Sequence, residues 1–331
     1  MSLKSLLGRF YQRQVDGNAQ RLPDDKSEAA VLDEIERIVS KIDSTILPVK
    51  RFRKKMVPSV RHAMQYISGL IPQVPGPLDL DPGRWDDDPL LRAMFISRKE
   101  LIGVLQSSKA LKNFFQRTNE SQAFAMLVAD RKEKTFFGTE KNGEIVRRDV
   151  HQKAIFFEDF KVFAPAVDLT ETRLQVQHRA LVGLFTQAFE KIADLQRWKE
   201  ELEKQRELLE FKVQQPETDL GTDQNLAEAK DNQTLKLLEV INGIKRKLEE
   251  IKADLDTPED RFEHLNAVLL NPEQYLRLKT ISLKLSRLGI RLESSSTEPA
   301  NEFTVAEFEM GQALKRAVVW VRTSRTSVLS V

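Results

Sequence analysis

Leu174, Leu181, Ala188, Leu195, Leu202 and Leu209 recur at intervals of seven, and Leu237, Ile241, Ile244, Leu248, Ile251 and Leu255 follow at steps of four and three. Such spacing stacks apolar side chains on one seam of each helix, the pattern of a coiled coil. Between the two runs lies Pro216-Glu217-Thr218-Asp219-Leu220-Gly221-Thr222-Asp223. A connection this short predicts an antiparallel return.

Strand-like sequence flanks the repeats on both sides. Ala123–Val128, Thr135–Glu140, Glu144–Val150, Lys153–Phe157 and Phe160–Ala164 precede them, and Phe303–Met310 and Arg316–Thr323 follow. Asn142-Gly143 is a strong hairpin signal, because both residues tolerate the positive φ of a type I′ turn. A hairpin alone is marginal, so the flanking strands are expected to share one sheet. The expected fold is α+β and predominantly helical: an antiparallel coiled-coil hairpin inserted into a head with a small antiparallel β-sheet.

Five regions follow from this reading. Residues 1–71 form an N-terminal amphipathic and helical region, and 72–89 a Pro/Asp-rich linker. Residues 90–169 carry helices and a β-meander, 170–256 the coiled-coil hairpin, and 257–331 further helices and a β-hairpin. The dense prolines Pro72, Pro75, Pro77, Pro82 and Pro89 favour extended chain. Asp86-Asp87-Asp88 offers capping carboxylates for a helix with Pro89 in its first turn. Two helices are expected within Leu90–Gln116. Pro258–Leu292 reads as two more, separated near Asn271-Pro272.

Two local features suggest binding. The basic run Lys50-Arg51-Phe52-Arg53-Lys54-Lys55, with Arg61 beyond it, concentrates cations in a chain whose net charge is only +2. Lys50, Arg51, Arg53, Lys54, Lys55 and Arg61 are therefore candidate polyanion ligands, with Phe52 placed to stack on a base or dip into an interface. Pro48 and Pro58 bracket the run as they would an exposed connector. At the N-terminus, Leu3, Leu6, Leu7, Phe10 and Tyr11 fall at helical spacing with no acid before Asp16. They are candidate contacts for a protein partner, with docking on the protein's own core and a weak peripheral membrane contact as the alternatives. Trp198 joins them, where the apolar seam narrows and Glu, Lys and Gln take over the surface. From Trp198 to Val213 the arm would project roughly 20–25 Å.

No catalytic, cofactor-binding or metal-binding residue stands out. The chain lacks cysteine, which removes thiolate chemistry and suits a reducing compartment. His62, His151, His178 and His264 show no ligand spacing, and no phosphate-binding loop, G-x-S-x-G or H-E-x-x-H is present. No segment supplies the roughly 20 apolar residues of a membrane span. The expected function is that of a non-catalytic cytoplasmic adaptor or scaffold, acting through the coiled-coil arm and the amphipathic N-terminus. Self-association is compatible with it. The competing expectation is a nucleic-acid or polyanion-binding protein using residues 50–55.

Overall fold

The computed structural model describes residues 28–142, 145–214, 224–286, 289–292, 300–311 and 314–329. The amphipathic Leu3–Tyr11 segment lies outside them. The architecture is mixed, with a six-stranded sheet and a long helix between its third and fourth strands. No helix among the described residues is long and apolar enough to cross a membrane.

Helices α1 (Glu28–Ile42) and α2 (Phe52–Leu70) precede a two-residue strand, β1 (Leu78–Asp79). Three short helices follow: α3 (Pro89–Met94), α4 (Arg98–Ser107) and α5 (Lys109–Arg117). Their starts are written locally. The Asp88 carboxylate accepts from the backbone N–H groups of Leu90 and Leu91, and the Ser97 and Ser108 hydroxyls accept from those of Glu100 and Leu111.

Strands β2 (Gln122–Asn142) and β3 (Ile145–Ala166) are far longer than the short meander the sequence suggests. Then come α6 (Leu169–Gln214), α7 (Gln224–Leu255) and α8 (Pro258–Leu270), before β4 (Leu276–Leu285), β5 (Asn301–Met310), β6 (Leu314–Ser324) and α9 (Arg325–Leu329). β4 corrects the expectation of a second helix after Asn271. Its Leu283 and Leu285 stand opposite Phe303 and Asn301 of β5, and this long-range pairing overrides a helix-like local spacing.

The sheet order is β3-β2-β6-β5-β4 with antiparallel neighbours, and β1 adds a short parallel pairing to β6. The two outer strands are then joined. The Ile155 N–H donates to Gly289 O (2.9 Å) and the Arg291 N–H to Lys153 O (2.8 Å), while the Leu292 N–H donates to Lys284 O (2.8 Å). The segment around Ile290 thus bridges β3 and β4, and the sheet closes towards a barrel.

Alternation along the strands separates two apolar faces. Ala125, Leu127, Val305, Val319 and Val321 face α3–α5, whereas Val128, Ala306, Val318 and Trp320 meet Val74 and Val176. A third cluster gathers α1, α2, α6, α7 and α8 around Phe185, Phe189 and Phe262. The proline-rich stretch packs on the sheet. Val74, Leu78 and Leu80 are buried, and a Cβ on Gly76 would stand 2.4 Å from the Trp320 carbonyl oxygen.

Candidate functional surfaces

The basic run does not form a connector. Phe52 opens α2, and Phe52, Met56, Val60, Ala63 and Ile67 make a buried stripe along it. Burial of that stripe outweighs the one backbone hydrogen bond that Pro58 removes from the helix. Phe52 is not available for stacking on a base, because it packs edge-on against Phe262 at 5.7 Å.

Of the candidate cations, Arg53 is engaged by α1. It reaches Glu36 at 2.5 Å and Asp33 at 2.7 Å, and the Glu36 hydrogen bond is the main cause that holds its guanidinium above the ordinary value. Lys55 lies 5.7 Å from the Phe262 ring centre. Lys50, Arg51, Lys54 and Arg61 are exposed on the same part of the molecule. Arg51 caps α2 in the left-handed region (φ 60°), with no side-chain hydrogen bond to the first turn and no acid there.

The long helices carry the second surface. Leu202 is buried in one cluster with Ile244, Leu248, Ile251 and Leu255. Lys199 meets Asp256 at 3.4 Å and Glu210 meets Lys245 at 3.0 Å. Trp198 is half-exposed. Further out, burial fails on both helices: Leu208, Phe211, Leu235 and Val240 each expose more than half of their surface, and Leu238 is 41% exposed. Of these residues the sequence reading singled out only Trp198. The signal for the rest was the step from a seam of leucines to leucines that fall off it.

The third surface is the β2–β3 ribbon. β6 pairs with β2 only as far as Ala129, and from Asp130 to Asn142 β2 pairs with β3 alone among the described residues. All three irregularities in that ladder place the extra residue on β3, where Asp149, Asp159 and Ala164 take positive φ. β2 itself stays regular.

Ion pairs fix the ribbon's root. Glu307 of β5 is 4% exposed and lies 2.5 Å from Arg131 and 3.2 Å from Lys315. Arg131 also reaches Glu133, and Arg316 joins Asp130 and Asp159. The Arg131 hydrogen bond is the main cause holding the Glu133 carboxyl below the usual range. For Asp159 burial alone would act upward, but Lys161 and Arg316 together outweigh it and the net shift is downward. Phe137, 66% exposed, rests its ring 4.4 Å from that of His151.

Among the described residues no group of three or more acids or histidines is arranged to hold a metal ion. A shallow recess lies beside the sheet closure, lined by Arg92, Ala93, Ser286, Gly289 and Asn301. No protein-family model, curated protein or solved structure matches the chain.

Proposed function

We propose that the protein works without turnover, as an adaptor whose partner docks on the outer part of α6 and α7. The carrying observation is the group of exposed apolar side chains there: Leu208, Phe211, Leu235, Leu238 and Val240. Scattered apolar residues on a surface need no explanation, but several on adjoining helical segments favour an interaction site. The ion pairs support an antiparallel arrangement of the two helices. From Lys199 to Glu210 the contact advances eleven residues along α6, and from Asp256 to Lys245 it retreats eleven along α7. In that register α6 ends opposite Ile241, and the first turns of α7 extend past it. That accounts for the exposure of Leu235 and Leu238.

Replacing Leu208, Phe211 and Leu235 together by Glu tests this reading. These side chains are exposed, so the fold and its thermal transition should survive, while partners captured from the native extract by the wild type should be lost. Equal capture by both proteins overturns the assignment to the arm. A stoichiometric cofactor accompanied by turnover overturns the non-catalytic reading.

One observation favours a second reading. The uncapped start of α2 presents backbone N–H groups beside Lys50, Arg51 and Lys54, a combination that attracts anions. Nucleic-acid binding there would weaken steeply with salt. Changing Arg51, Arg53, Lys54 and Lys55 to Gln would flatten that slope, and no binding at low salt ends the reading.

A further inference from the structure

The free edge of β2 reads the same against itself in one register. The window Glu133-Lys134-Thr135-Phe136-Phe137-Gly138-Thr139-Glu140-Lys141, laid antiparallel on a second copy about a two-fold axis at Phe137, brings Glu133 opposite Lys141 and Lys134 opposite Glu140. Thr135 then faces Thr139, Phe136 faces Gly138, and Phe137 faces its own counterpart. Opposite charges, threonine pairs and aromatic pairs are the combinations that stabilise neighbouring antiparallel strands.

Slipping the two-fold by half a residue either way destroys the match. One slip sets Glu133 against Glu140 and Lys132 against Lys141, and the other sets Lys134 against Lys141. Charges on an open edge normally discourage pairing with other strands. Here they match a second copy in the register centred on Phe137.

The structure keeps this window open. It lies beyond the last β6 pairing at Ala129, so the side of β2 away from β3 is unpaired among the described residues. The ladder irregularities place their extra residues on β3, so β2 keeps its two-residue alternation through the window. The bridge from Gly289–Arg291 occupies the outer edge of β3 at Lys153 and Ile155 and leaves β2 untouched. At the centre of the window Phe137 is the most exposed aromatic side chain among the described residues. Within its own chain Glu133 meets Arg131 and Lys153, while Lys134 is exposed.

We infer that two copies of this chain associate through isologous antiparallel pairing of their β2 edges, centred on Phe137, to make one four-stranded ribbon. Sedimentation equilibrium of the full chain tests it. The wild type should dimerise. Lys134→Glu places like charges opposite Glu140 at two symmetric positions, as Glu140→Lys does opposite Lys134, and each should raise the dimer dissociation constant about tenfold. The double change restores both pairs and should restore the dimer. A wild type that stays monomeric at high concentration overturns the inference, as does a dimer indifferent to the single changes.

Because the chain has no cysteine, the register can be read directly. Phe137→Cys should give a disulfide-linked dimer under mild oxidation, since facing residues lie within disulfide reach. Thr135→Cys should cross-link only when mixed with Thr139→Cys. Equal self-cross-linking at both positions refutes the two-fold at Phe137.

Discussion

Glu307→Gln tests whether the ribbon's root is held by its buried ion pair. Glu307 is 4% exposed, with Arg131 Nε at 2.5 Å and Lys315 Nζ at 3.2 Å. The amide keeps the shape and removes the charge. Lys315 is 57% exposed and retains Glu309 at 3.1 Å, so its share of the loss is small. Arg131 retains Glu133 but loses a charge-assisted hydrogen bond in a buried setting, where such a bond contributes about 1.5–3 kcal/mol. The amide oxygen recovers part of that, which leaves a cost of about 2 kcal/mol. With a urea slope of about 3 kcal/mol/M, the midpoint should fall by about 0.7 M. Tryptophan emission can follow the transition, because Trp320 is fully buried in the same sheet. Glu309→Gln, which removes the ion pair to the exposed Lys315, should cost less than about 0.5 kcal/mol. Replacing Arg131 by Met together with Glu307 by Leu should be milder than either change alone, since it leaves no buried charge unpaired. A Glu307→Gln protein no less stable than Glu309→Gln, or a double change that costs the sum of the singles, would refute a stabilising buried pair at the root.

Three further outcomes are expected. The carboxyls of Glu133 and Asp159 are shifted down in the folded state, so their stabilisation is complete above the unfolded carboxylate pKa, about 4, and is lost as pH falls through the folded values. Glu133→Gln with Asp159→Asn should flatten the acid limb of the stability–pH curve, and an unchanged limb contradicts the linkage. Gly76→Ala should destabilise by about 1–3 kcal/mol in denaturant titrations, because residue 76 has φ 114° and an added Cβ would meet the Trp320 carbonyl oxygen at 2.4 Å. A loss under about 1 kcal/mol would show that the backbone there yields. Deleting Glu207–Arg246 and closing the gap with a short glycine-serine linker should leave one cooperative thermal transition, since Leu202, Leu248, Ile251 and Leu255 remain. Loss of all folding would make the outer helices part of the core.

The parts of the fold that were legible are those with a local cause. Asp88 caps α3 because its carboxylate reaches the next two N–H groups. The seam of α7 is buried where its leucines and isoleucines keep steps of three and four. β4 was not legible for a physical reason. Leu278, Ile281 and Leu285 keep a helical spacing, and only the pairing of Leu283 with Phe303 decides for strand. The charges Arg131–Lys134 looked like a break in β2, yet they sit in a strand because Glu307 of β5 and Glu158 of β3 pair with them from other strands and Asp130 from β2 itself. In α2 the buried Phe52, Met56, Val60, Ala63 and Ile67 keep a helical spacing, but the sequence reading missed it because Pro58 falls inside the helix.

Candidate recognition surfaces are harder to read because nothing inside the chain explains them. Phe137 and Leu235 have the composition of core residues, and only their exposure separates them from Phe157 or Leu248. Once exposed, they lead to separable expectations. Lys134→Glu should dissolve the ribbon pairing and leave the outer arm intact, whereas the triple Glu substitution on the arm should leave assembly intact. If Lys134→Glu also weakens partner capture, the two readings join in one mechanism. A dimer carries two arms, and engagement of the second at high effective concentration raises avidity without any new contact. Restoring the dimer with Lys134→Glu plus Glu140→Lys must then restore capture as well. Capture that stays low in that double variant would mean that Lys134 acts on the partner directly.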